Sequence, residues 1–369
     1  MKMRLLSMVL AVVFLFTGCF NYRDINRVMF DLAVLIDIDE NDNVVLYTET
    51  FKPFKGTAQG AEQGVRLINK IEGKTIFEAI RNLSLASGYK HNYTQNKALI
   101  FSERAARKGL KPVLDFIDRD QEFLIRPFVF VYLGDLQDLF KLQPKDEEYL
   151  GIYVDTLINT IGDASRAVIV NVNEFLNSRY LKSNTQVIPA LRIKRDSLMD
   201  KIELDGGAVI QHDKMTDYIP RQQTQSYNFL RDRVKRGTLE VTNPDSPQGY
   251  ITLEILGSKT KTKIKYDGKK IILIKIINVK TSLAESQYMF NMCEENISKL
   301  ERSAEENIKK YTSQLFDEYS LKEIDIFEIG EELHRYYPKF NIDNPITITQ
   351  LEVKAYVNIE GSSNKTDFY

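Results

Sequence analysis

Apolar and polar positions alternate along this chain in two periods, and the switches between them mark out its elements. The segment "MFDLAVLIDIDENDNVVLYTETFKP" predicts two strands around the polar turn "DENDN". The following "FKGTAQGAEQG" has no period and reads as an exposed loop. In "GKTIFEAIRNLSLASG" the period becomes helical: Ile76, Phe77, Ile80, Leu83 and Leu85 share a face, Thr75 offers an N-cap and Gly88 a stop. Strand "KALIFS", helix "LKPVLDFIDRD" and strand "RPFVFVYLGD" follow, so this first part predicts a sheet covered by helices. Two more helices, from "DEEYLGIYVDTLINTIG" onward, precede the strands "TQVIPALRIKRD", "KIELDGGAVIQHD" and "KMTDYIP". Gly206 and Gly207 there mark a bulge or a close backbone approach.

From residue 239 the pattern is β again. In "GSKTKTKIKYDGKKIILIKI" the pair Asp267-Gly268 predicts a hairpin closed by a tight primed turn. Before it Lys259, Lys261, Lys263 and Lys265 alternate with Thr260, Thr262, Ile264 and Tyr266, which puts all four lysines on one strand face. Between Gly257 and Lys280 there are eight lysines against one aspartate. One reading is a solvated face that also discourages edge-to-edge pairing. The other is contact with anionic lipid headgroups or an acidic partner surface. Next, Ile297, Leu300, Ala304, Ile308, Tyr311 and Leu315 form a core-facing helical stripe with "SKLE" as its capping box. A shorter helix in "IFEIGEELHRYYPKF" stops at Pro338, and "LEVKAYVNIEG" closes the chain as a half-buried strand.

Strands and helices in this order predict an α+β fold, and 369 residues are too many for one core. The natural divisions are a leader at 1–18, an N-terminal part at 19–202 that splits near 140, and a C-terminal part at 203–369. The net charge of −1 argues against a nucleic-acid partner, which would want a strongly basic domain.

The leader changes the picture most. Lys2 and Arg4 precede an apolar run from Leu5 to Phe16, which is shorter than the roughly 20 residues a spanning helix needs. The run ends at "FTGC", which resembles a bacterial lipobox: the thiol of Cys19 takes a diacylglycerol and the chain is cut after Gly18. The alternative is an ordinary signal peptide followed by a small buried cysteine. Lipidation would leave Cys293, expected to be a buried residue near a helix start, with no disulfide partner.

Candidate chemistry is sparse. The cluster Asp37, Asp39, Glu40 and Asp42 fails as a calcium loop, because positions six and twelve are Asp42 and Thr48 where glycine and glutamate belong. His91, His212 and His334 are far apart and lack metal-ligand spacing, and the paired glycines lack the spacing of a phosphate loop. No nucleophile elbow, Walker loop or kinase signature is present, so no catalytic residue, metal site or cofactor is assigned. "HRYYP" at His334 to Pro338 could form a small pocket or pack the helix end.

Four stretches taken together resemble the C-subunit lipoproteins of spore germinant receptors, the GerAC-like family. They are "CFNYRDINRVMFDLAVLIDID", the block from "GKTIFEAIRNL" to "RPFVFV", "IELDGGAVIQHDKMTDYI", and the closing "NISKLERSAEENIKKYTSQLFDEYSLKEIDIFEIGEELHRYYP" with "ITQLEVKAYVNIEGSS". The resemblance implies three α+β lobes and a non-enzymatic protein. It also implies anchoring by acyl lipid at Cys19 on the outer face of the spore inner membrane, beside integral-membrane A and B subunits. A different class, a solute-binding lipoprotein that captures a small nutrient between lobes, would want two similar lobes with a hinge, and the segments here are unlike.

Overall fold

The computed structural model describes residues 28–52, 65–120, 122–123, 125–142, 148–161, 165–195, 199–362 and 367–368. Strands β1 (Val28–Ile38) and β2 (Val44–Lys52) form the expected hairpin. Its turn closes on Asp39, whose carboxylate accepts the backbone N–H of Asn41 at 2.9 Å and of Asn43 at 2.7 Å. Of the acidic cluster, Asp39 is thus turn chemistry, while Asp37 accepts from Ser102 and Arg104 and Asp42 pairs with Lys108. β3 (Val65–Gly73) pairs with β2 and leads into α1 (Ile76–Ser87), capped by Thr75 at one end and by Gly88, at φ 69°, at the other.

There follow β4 (Lys90–Asn92), β5 (Ala98–Ser102), α2 (Glu103–Lys108), α3 (Lys111–Arg119), β6 (Phe128–Tyr132), α4 (Leu136–Lys141), α5 (Leu150–Ile161), α6 (Val172–Ser178), β7 (Thr185–Lys194), β8 (Lys201–Gln211) and β9 (Lys214–Ile219). They build a nine-stranded mixed sheet in the order β3-β2-β1-β5-β6-β7-β8-β9, with β4 beside β1. Its centre, β1-β5-β6-β7, is parallel. Such strands are buried on both faces, which explains their unbroken apolar runs. Val34, Ile36, Leu99 and Phe101 face α1, α2, α3 and α6, while Ala33, Leu35, Ala98 and Ile100 face α4 and α5.

α5 is tied down by a buried carboxylate. Glu49 of β2 accepts the N–H of Leu150 and of Gly151, each at 2.8 Å, and the Nε–H of Arg66 at 2.7 Å. Gly151 is required there, because a Cβ would lie 2.3 Å from the Leu32 carbonyl oxygen. Gly206 likewise makes the expected close approach, with φ at 76° and space for a Cβ only 2.1 Å from the Ile219 carbonyl oxygen. Positions 140 and 203 fall inside α4 and β8, and the large sheet runs on through β9.

The rest of the chain forms α7 (Arg221–Leu230), β10 (Gly237–Thr242), β11 (Tyr250–Tyr266), β12 (Ile271–Ser286), β13 (Phe290–Asn291), α8 (Glu294–Leu321), α9 (Ile329–Tyr336), β14 (Thr349–Ser362) and β15 (Asp367–Phe368). The order β10-β11-β12-β14 gives a four-stranded sheet, and β13 pairs with β15. α8 covers one face, packing Leu300, Ala304 and Ile308 on Ile277, Val279, Ala355 and Val357. Tyr311 departs from the expected stripe and is exposed; Thr312 takes the buried place. The helix also starts earlier than "SKLE" suggests, at Glu294, because Asn296 Nδ2 donates to Asp245 and to the Asn291 carbonyl and fixes an earlier first turn. Glu301 and Glu305 reach the free edge of β14 and accept the N–H of Ile359 and Val357. Farther along, Leu315, Phe316 and Tyr319 share a cluster with Ile219 and Tyr227, so the two sheets join through one apolar core. Among the described residues no helix is long and apolar enough to cross a membrane.

Candidate functional site

β10 pairs with β11 only from Tyr250 to Ile255, so from Ser258 to Tyr266 the ladder partner of β11 is β12 alone. A register break between Ile255 and Gly257 shifts the inward parity from odd to even residues. Thr260 and Ile264 consequently point inward, and Lys259, Lys261, Lys263 and Lys265 stand exposed on the outer face. Lysines on an edge strand hinder pairing with another chain. Across the ladder from Lys261, Lys263 and Lys265 lie Ile276, Ile274 and Ile272. Ile274 is 8% exposed although no helix among the described residues covers this face, because it sits between Lys263 and Glu352, whose aliphatic stems shield it. Lys259 is ion-paired with Asp232, whereas Lys261, Lys263 and Lys265 have no ion-pair partner among the described residues. The hairpin is present, but its loop is Asp267 to Lys270, longer than the tight primed turn the sequence predicts. The Asp267 carboxylate accepts the N–H of Lys270 and of Lys269, each at 2.8 Å, which closes the longer loop with only Gly268 at positive φ, 95°. The same two bonds hold the Asp267 carboxyl below the usual range.

Behind this strand lies a polar cavity of about 300 Å³. One wall is the end of α7. Asp232, at φ 58°, accepts the Thr260 N–H at 2.6 Å, and the Thr260 hydroxyl donates to the Phe229 carbonyl at 2.7 Å. Another wall is the turn before α9. Its buried Asp325 accepts the N–H of Phe327 and Ile329 at 3.1 Å and of Gly330 at 3.0 Å, although burial raises its pKa. That turn holds Glu328 at φ 58° with its carboxylate on the Arg231 guanidinium, which also donates to the Phe327 carbonyl at 3.1 Å. The third wall is β12. Lys275 enters from the sheet's inner face at 4% exposure, and its Nζ donates to Thr262 Oγ1 at 2.9 Å. Burial pushes this ammonium down to about 8. Arg335 and Tyr336, from "HRYYP", complete the lining, with Arg335 on Glu332 at 3.0 Å. The pocket reading of that motif holds for these two residues; His334 is exposed.

The N-terminal sheet contains a second polar cluster. Asp31 of β1 is fully buried, accepts the Thr50 hydroxyl at 2.8 Å and lies 3.0 Å from His91 Nδ1. His91 Nε2 is in turn 3.1 Å from Ser87 Oγ. The line has the order of a hydrolytic relay but the wrong setting. Ser87 also donates to the Tyr89 carbonyl at 3.2 Å and sits at the C-terminal end of α1, where the helix dipole opposes a developing oxyanion. Thr48 and Asn69 extend the network from the other side.

The model for "Spore germination protein N-terminal domain" matches residues 21–193, and that for "Spore germination B3/ GerAC like, C-terminal" matches residues 205–363. The chain belongs to the GerAC-like family of spore germination proteins. Spore germination protein KC of Bacillus subtilis (strain 168) is 23% identical to it over 362 residues, covering 92% of this chain and 88% of its own length. Spore germination protein GerQC of Bacillus cereus is 24% identical over 298 residues, 79% of this chain and 82% of its own. The crystal structure of the GerBC protein shares the fold, with a TM-score of 0.58 at 17% identity over 89% of this chain and 96% of that one.

In this GerAC-like chain the structure places the four lysines on one face, as their spacing requires. Cys19, the leader and the loop "FKGTAQGAEQG" lie outside the described residues. Cys293 is exposed, contrary to expectation, because α8 begins immediately after it and leaves it at the solvent edge as the N-cap residue. No group of three or more His, Cys, Asp or Glu side chains placed to hold a metal occurs among the described residues. Sequence reasoning missed Lys275, Arg231 and Asp325. For Lys275 a signal existed: Ile271, Leu273, Ile277 and Val279 set the inward parity of β12, and position 275 shares it.

Proposed function

We propose that this GerAC-like protein is the lipid-anchored, non-enzymatic subunit of a germinant receptor complex in the spore. Diacylglycerol and acyl chains at Cys19 hold it on the outer face of the inner membrane, beside integral-membrane A and B subunits. The observation behind this reading is the match to both spore germination domains, which starts at residue 21, two positions after the lipobox-like cysteine. A body tethered through Cys19 would be confined to the membrane surface, which raises its effective concentration for integral partners. Each acyl methylene buried in the bilayer contributes about 0.8 kcal/mol, so two or three chains suffice for stable attachment. Lys261, Lys263 and Lys265, exposed and without an ion-pair partner among the described residues, supply the surface for anionic headgroups or an acidic partner loop. Replacing Cys19 by alanine in sporulating cells tests the reading. The protein should leave the membrane fraction and the nutrient response should be lost; retention in the membrane with normal germination would refute it.

A further inference from the structure

The cavity behind β11 contains a buried cation that no carboxylate among the described residues partners directly. Three carboxylates line it, and each already has a cation: Asp232 with Lys259, Glu328 with Arg231, Glu332 with Arg335. Lys275 is the cation left over. Among the described residues no carboxylate is within ion-pair distance of it, and its one acceptor is the Thr262 hydroxyl, which leaves two of its N–H groups unused. Asp325, the nearby buried acid, has both oxygens engaged by backbone N–H groups. A buried ammonium with unused donors on the wall of an open cavity is costly unless an acceptor occupies the space.

We propose that this cavity is a binding site for a small monovalent carboxylate, whose oxygens accept from the Lys275 ammonium. Electrostatics sets the valence: Lys275 has no carboxylate within ion-pair distance among the described residues, while Glu328, Glu332 and Asp232 on the wall repel a dianion. Size sets the upper limit, since about 300 Å³ is at the small end of ligand pockets. The mostly polar lining, with Thr260, Thr262 and Tyr336 beside the charges, suits a ligand that is polar throughout. The site is independent of lipid attachment at Cys19 and of the outward lysines. The charged groups around Lys275 are Arg231, which disfavours its proton, and Glu332, Glu328 and Asp325, which favour it. A bound carboxylate joins the second group and would raise the Lys275 pKa from about 8, so binding is coupled to proton uptake in mildly alkaline solution.

Calorimetric titration of the full chain in detergent, with sodium acetate and separately with inorganic phosphate, tests the proposal. Wild type should take up one equivalent of acetate at pH 7, and phosphate dianion at pH 8 should bind at least about tenfold more weakly than acetate. Lys275→Met should weaken acetate binding about tenfold or more, and Lys261→Met, on the opposite face of the sheet, should leave it unchanged. If Lys275→Met does not fold, wild type alone decides: acetate affinity should be flat from pH 6 to 7 and then fall by about tenfold per pH unit once Lys275 deprotonates. Absence of saturable acetate binding, equal binding of phosphate, or acetate binding indifferent to both Lys275→Met and pH would overturn the proposal.

Discussion

The buried polar cluster of the N-terminal sheet and that of the C-terminal sheet are built from similar materials and end in opposite states. Around Asp31 each group answers another: Thr50 and His91 satisfy the carboxylate, Ser87 satisfies the far side of the imidazole, and Thr48 and Asn69 close the ring. Around Lys275 the accounting stops short, with one hydroxyl for an ammonium and nothing for the Arg231 Nε–H. Complete networks specify a unique core, whereas incomplete ones leave donors open to water or a ligand. The difference follows from position. Asp31 lies on a central strand covered on both sides, while Lys275 faces the half of β11 that lost its second partner when β10 ended.

The largest effect should come from breaking the complete network. Asp31→Ala strands His91 and Thr50 in the core, and urea unfolding should show a loss of about 3–5 kcal/mol. A loss under about 1 kcal/mol would mean that the network contributes little to stability.

Lys275→Met should do the reverse. The folded pKa of Lys275, about 8, lies below its ordinary value of 10.5, so between those limits the unfolded chain holds the extra proton. Wild-type stability should therefore rise as pH increases from about 8 to about 10, by roughly 3 kcal/mol from this group, and fall back as pH drops through 8. In anion-free buffer Lys275→Met should remove that rise and be as stable as wild type or more so at pH 7, read from denaturation midpoints across pH. Glu328→Gln is expected to cost less, about 1–2 kcal/mol, because Arg231 keeps the Phe327 carbonyl. Smallest is the outer face: exchanging Lys261, Lys263 and Lys265 for glutamate should change stability by less than about 0.5 kcal/mol, while binding to vesicles of anionic lipid is lost.

Much of this architecture was legible because local rules and tertiary packing agree. The caps of α1, the hairpin of β1 and β2, the glycine at 206 and the lysine parity of β11 each follow from a period or a backbone requirement acting over a few residues. The cavity was not, because its walls come from positions 231, 275, 328 and 335, which only the crossing of α7, β12 and α9 brings together. The turn at Asp267 and the start of α8 depart from the sequence pattern for a related reason. In both, a side-chain to backbone bond, from Asp267 or Asn296, outweighed the commoner local pattern. The single sheet across residue 203 is likewise set by strand pairing, which composition does not encode.

The functional reading depends most on the amino terminus, and the decisive measurement is the mass of that terminal peptide from protein purified out of sporulating cells. Lipid anchoring predicts a chain that begins at Cys19 and bears a diacylglyceryl thioether on its sulfur. A free thiol at Cys19, or a retained leader from Met1 to Gly18, would contradict it.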